Sequence, residues 1–168
     1  MLESHLSYPV LSFFRSQHNN QSWLGALTTI LDATALVIAG VDGLRFEQSK
    51  ITFAMARHAV VDLAQVVNAR YAPTAPDRLP AQELNRLRES LAGRGVKLHE
   101  GAAFEEKLSQ LRSLYEPYAV AIAANLSITL PPWIHPEKQK DNWQAGPWDR
   151  AIQARSLAGR VQSMDDHF

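Results

Sequence analysis

The sequence predicts an all-α fold, a single helical bundle of about six helices followed by a proline- and tryptophan-rich C-terminal tail. Three observations point to it. Apolar residues recur at steps of three and four along most of the 168 residues, which is the spacing of one face of a helix. Strict apolar and polar alternation with β-branched enrichment, the mark of strands, is missing. Proline and glycine gather in short breaks between the periodic stretches, where they end helices. The length suits one domain over 1–168, with a core over about 4–130 and a tail with a short helix over 131–168.

The first predicted helix covers 8–17, capped by Ser7, with Pro9 in the first turn where a missing N–H costs nothing. A second starts near Asn20 and stops at "GVDG", whose Gly40 and Gly43 suit a cap and a turn. The third covers 46–71, with Phe53, Val60, Leu63 and Val67 on the apolar side. Three prolines in "APTAPDRLP" cannot sustain a helix and make a connector. The fourth, over 80–92, carries a thin Leu84, Leu87 and Leu91 stripe and belongs on the surface. The fifth is a seam of Phe104, Leu108, Leu111, Tyr115, Tyr118, Ile122 and Leu126, which Pro117 must kink or split. Beyond it, "YAVAIAANL" has no charge on any face and predicts burial on all sides. A last short helix is expected over 147–157.

The stretch "WLGALTTILDATALVIAGV" has nineteen residues and a single charge, Asp32. As a helix it reaches about 28 Å, close to the hydrocarbon thickness of a bilayer. An aspartate at the bilayer centre costs roughly 2.5–3.5 kcal/mol, and three threonines and two glycines offset little of it. The stretch is therefore expected to be a buried helix of a bundle, with Gln21, Gly25, Thr28, Asp32, Ala35 and Ala39 as a small and polar stripe and Leu24, Leu27, Leu31 and Ile38 on the opposite side.

The 17 basic and 17 acidic residues cancel and are interspersed, so no basic footprint invites nucleic acid. With no cysteine in the chain, disulfides, thiolate catalysis and zinc ribbons are excluded. The N-terminal stretch has Glu3 where a secretion signal would be basic, and no such signal is expected.

Candidate chemistry is sparse. Asp32 within an apolar helix is either a carboxylate of raised pKa or one satisfied by a neighbouring arginine, threonine or backbone group. His58 and Asp62 stand one helical turn apart, and with Asp32 they form the alternative of a metal-binding protein or helical-bundle enzyme. No phosphate loop, dinucleotide fingerprint, H-E-x-x-H or Gly-x-Ser-x-Gly accompanies them, so neither an enzyme nor a cofactor is expected. Trp133, Trp143 and Trp148 in the tail are either plugs on the chain's own core or partner-interface anchors.

The segments "SHLSYPVLSFFRSQHNNQSWLGALTTILDATALVIAG", residues 4–40, and "ITFAMARHAVVDLAQV", residues 51–66, resemble the soluble region that follows the pore helices in bacterial two-transmembrane potassium or ion channel family proteins. The chain lacks a filter of the threonine-valine-glycine-tyrosine-glycine type. The resemblance implies a non-enzymatic cytosolic domain on the inner face of the bacterial inner membrane, acting in assembly or in regulation of gating. It further implies a pore segment of the same polypeptide lying before residue 1, a Met1 of non-native origin, and several copies around one pore. The ligand sensed is not visible. A small integral membrane protein, with residues 23–41 and "YAVAIAANLSITL" embedded, is the remaining alternative.

Overall fold

The computed structural model describes residues 22–41, 46–71 and 76–134, together with Ser7, Tyr8 and Val10. Five helices occur among them: α1 Trp23–Gly40, α2 Phe46–Val66, α3 Ala81–Ala92, α4 Ala102–Ser113 and α5 Glu116–Leu126. No strand occurs among the described residues; an isolated antiparallel bridge joins Val41 to Leu98. The helices belong to one compact unit, residues 1–135. The helix expected over 8–17 falls almost wholly outside the described residues, as do the one over 147–157 and Trp143 and Trp148.

α1 is the central element and packs on α2, α4 and α5, while α2 also packs on α5. Ser22 caps it, its side chain accepting from the Gly25 N–H at 2.8 Å, which satisfies one of the donors a helix start leaves open. Leu24, Thr28, Leu31 and Ala35 are completely buried, and Leu27 and Asp32 nearly so. Each such leucine contributes about 1.5–3 kcal/mol of burial. The leucine stripe and the small polar stripe are not opposite, as expected, but adjoin at 100° per residue and together make one broad buried face. The open face consists of Ala26, Thr29, Ile30 and Ala33. The hydroxyls of Thr28, Thr29 and Thr34 bond back to the carbonyls of Leu24, Gly25 and Ile30 at 2.7–2.9 Å, so they add little polarity to the helix exterior. By length and composition α1 can cross a membrane, and 44% of it is buried.

α2 ends at Val66, short of the expected 71, and buries Phe53, Ala56, Val60, Leu63 and Ala64, with Val67 buried just past its end, so it contains the face its spacing predicted. α3 is peripheral and buries only Leu84 and Leu87. Pro117 sits in the first turn of α5, and the expected seam is split into α4 and α5 at Leu114 and Tyr115. Tyr115, Ile122 and Leu126 stay in the core as expected, while Tyr118 is left 38% exposed and Ala119 is buried instead. Only Tyr118, Ala124 and Asn125 of "YAVAIAANL" are exposed, close to the expected all-round burial.

Three helix ends close by the same device. After α2, Ala69 N–H reaches Ala64 O and Asn68 N–H reaches Gln65 O; Val96 and Gly95 after α3, and Ile128 and Ser127 after α5, repeat the pattern. The pivots Asn68, Gly95 and Ser127 have φ of 51°, 81° and 53°, the left-handed conformation this closure requires.

Candidate functional site

Asp32 is the only charged residue of α1, so its helix offers it no partner. The partners come from two other segments. Arg78, in the stretch leading into α3, holds both carboxylate oxygens, Nη1 to Oδ1 at 3.2 Å and Nη2 to Oδ2 at 2.7 Å. Tyr115, in the break between α4 and α5, donates its hydroxyl to Oδ1 at 2.5 Å. Arg78 also donates to Glu116 Oε1 at 3.1 Å and to the Pro131 carbonyl at 2.9 Å. A two-point guanidinium contact of this kind is charge-assisted and orientation-specific.

The network continues outward. Arg112, one turn before Glu116 on the same face, binds it through Nε and Nη2 at 3.1 and 3.0 Å, and its Nη2 also meets Asp77. Asp77 Oδ1 in turn accepts the Leu79 N–H at 2.9 Å, a local turn that presents Arg78 inward. The Trp133 ring lies 5.8 Å from the Arg78 guanidinium and 5.7 Å from that of Arg112, within cation–π range of both. The Trp133 Nε1–H is buried without a hydrogen-bond partner.

The electrostatics follow from this packing. Burial lowers the pKa values of Arg78 and Arg112, but hydrogen bonds and charges of Asp32 and Glu116 for the first, and of Glu116 and Asp77 for the second, more than offset it and hold both above the ordinary value. Burial raises Asp77, yet the Arg112 contact and the Leu79 N–H together hold it below the usual carboxylate range. Burial pushes the Tyr115 hydroxyl up, and the charge of Asp32 adds to the shift. Every carboxylate oxygen of Asp32 and Glu116 already accepts a proton donor. Such a cluster is built to hold segments together, each of these oxygens engaged by at least one arginine or tyrosine donor.

Of the residues singled out from sequence, Asp32 is at the centre of this cluster and Trp133 at its edge. His58 and Asp62 are elsewhere on α2, the first exposed and the second half-buried. No group of three or more metal-ligating side chains occurs among the described residues, so Asp32, His58 and Asp62 do not assemble as a metal site: Asp32 is occupied by Arg78 and Tyr115. Arg78, Arg112, Glu116 and Asp77 escaped the sequence reading. Arg112 and Glu116 had a signal, an i,i+4 pair of opposite charge; Arg78, inside a proline-rich connector, had none beyond the need of Asp32 for a cation. Compared with family models, curated proteins and solved structures, the chain finds no match.

Proposed function

We propose that the chain is a non-enzymatic cytosolic domain of a potassium- or ion-channel-like membrane protein, present in several copies and acting in assembly or in regulation of gating. The observation that supports it is the closed cluster around Asp32. It ties the apolar helix α1 to the α4–α5 break and to residues 131–133 through partners that are all internal. A domain that biases a gate needs an element with two arrangements of differing free energy, and making or breaking these buried ion pairs supplies such a difference. The two segments that resemble channel-attached regions include α1 and most of α2, which pack on each other.

A second reading, a small integral membrane protein, draws on the length and apolar composition of α1. Both are tested by probing cell fractions with an antibody against residues 1–168 after an alkaline wash. A channel-attached domain gives a band well above 18.7 kDa in the membrane pellet, and the chain expressed alone is recovered without detergent. A small membrane protein gives an 18.7 kDa band in that pellet. A band of that size in the supernatant alone defeats both.

A further inference from the structure

Beside the charged cluster lies a cleft with two adjoining lobes that share Tyr71, Ser113 and Pro117. The larger lobe, about 620 Å³, adds Tyr118 and the amide side chains of Gln65 and Asn68. The smaller, about 290 Å³, is walled by Asp77, Arg78, Arg112 and Glu116. Tyr71 and Tyr118 are 72% and 38% exposed, so two aromatic rings border the cleft with surface left to cover.

The cleft itself is lined by two guanidiniums and two carboxylates, and the surplus arises behind it, where the buried Asp32 adds a third carboxylate. Arg78 is matched by Asp32 and Glu116, and Arg112 by Glu116 and Asp77; three carboxylates meet two guanidiniums, which leaves one negative charge over. Asp77 is the member that reaches water, its side chain 57% exposed. The aromatic faces and the water-exposed carboxylate of Asp77 favour the same kind of guest.

We propose that this cleft binds an organic cation, an alkylammonium group whose charge is held by Asp77 and the tyrosine faces, and whose alkyl part rests on Pro117. Nothing in the cleft depends on attachment to a membrane pore. The shared chemistry is an ammonium on an aliphatic stem, carried by a free amine or by a lysine side chain.

The test is a titration of isotopically labelled protein with butylammonium chloride, read by NMR. Butanol serves as the neutral isostere and sodium chloride as the ionic-strength control. Saturable shifts at the Gln65 and Asn68 side-chain amides are expected with butylammonium alone. Tyr118→Leu and Asp77→Asn should each weaken the binding about fivefold, the scale of a partly exposed cation–π or charge contact. N-acetyl-lysine methylamide separates the sources: tighter binding than butylammonium assigns the site to a protein lysine, weaker binding to a free amine. Equal affinity for butanol, the same shifts with sodium chloride, or no saturable shift overturns the proposal, and the butanol comparison needs no variant that has to fold.

Discussion

The Tyr115 hydroxyl donates to Asp32 Oδ1 across 83 residues of sequence, and the oxygen it reaches is one that Arg78 also holds. Tyr115 is completely buried and Asp32 is 7% exposed, so this carboxylate has left water and depends on three donors. Removing one partner of a buried, hydrogen-bonded pair strands the other charge. Asp32→Asn or Arg78→Met is therefore expected to cost about 3–5 kcal/mol in urea unfolding. The double variant Asp32→Leu with Arg78→Met should recover much of that loss, because no unpaired charge remains. Additive losses would show that the two residues act separately.

Tyr115 also sets an alkaline limit. Burial and the neighbouring Asp32 charge raise its pKa above the ordinary value, so the folded protein keeps a proton that the unfolded chain releases at about pH 10. A raised pKa contributes stability below the unfolded value and loses it as pH rises through the folded one. Stability should thus fall by about 1.4 kcal/mol per pH unit above ~10 from this group. Tyr115→Phe should start less stable by roughly 1.5–3 kcal/mol, the worth of a bond to a charged acceptor, and should lack that slope. An unchanged slope in the variant would assign the alkaline loss to other groups. Asp77 works in the opposite direction: its lowered pKa helps above the unfolded value near 3.9 and is lost as acid takes pH through the folded one. With its side chain 57% exposed, the effect is under about 1 kcal/mol.

What could be foreseen from sequence was local, and what could not was partnership. The α2 core face and the break at Pro117 follow from short-range rules about spacing and a missing N–H, whereas α1 begins at Trp23 under the Ser22 cap and not near Asn20. Across the break the seam keeps Tyr115, Ile122 and Leu126, and the sequence reading missed one exchange, Ala119 buried and Tyr118 exposed. The pivots at Asn68 and Ser127 gave no glycine signal, although their φ is positive. The charged cluster was visible only as an aspartate lacking a partner; Arg78 comes from 46 positions away, and no periodicity links residues across such a gap.

Gly40 is needed for contact rather than for conformation. A Cβ built on it would lie 2.7–2.8 Å from Nδ1, Cβ and Cγ of His99, and the His99 N–H binds the Gly40 carbonyl at 2.8 Å. The clash involves the root of the side chain as well as its ring, so rotation of His99 cannot relieve it. Gly40→Ala should lose about 1–3 kcal/mol through overpacking, even though alanine is the better helix former by about 1 kcal/mol. A stabilised variant in thermal unfolding would mean that the Val41 to Leu98 contact yields at little cost.

Ser127 holds φ at 53° at the end of α5, where a side chain crowds the backbone and glycine does not. Ser127→Gly should therefore stabilise the protein by about 1 kcal/mol. Gly95→Ala, at φ 81° with open space around it, should cost a similar amount for the same reason. The two changes have opposite expected signs, so thermal unfolding of both tests the backbone term. Shifts of the same sign would contradict the assigned closure.

Trp133 offers the sharpest separation of forces in the cluster. Its ring faces two guanidiniums at 5.8 and 5.7 Å, while its buried Nε1–H has no acceptor. A buried donor left unmade costs about 1–3 kcal/mol. Trp133→Phe removes that donor and keeps an aromatic face, so the loss of packing should be largely offset and stability should stay within about 1 kcal/mol of the wild type. Trp133→Leu removes the face as well and should fall a further 0.5–2 kcal/mol or so, the range of a cation–π contact. If phenylalanine and leucine prove equal in urea unfolding, the arginines are held by their carboxylates alone and the ring contributes only its area. If phenylalanine is the worse of the two, the indole N–H has a partner in solution, and the strained side of this contact has been misassigned.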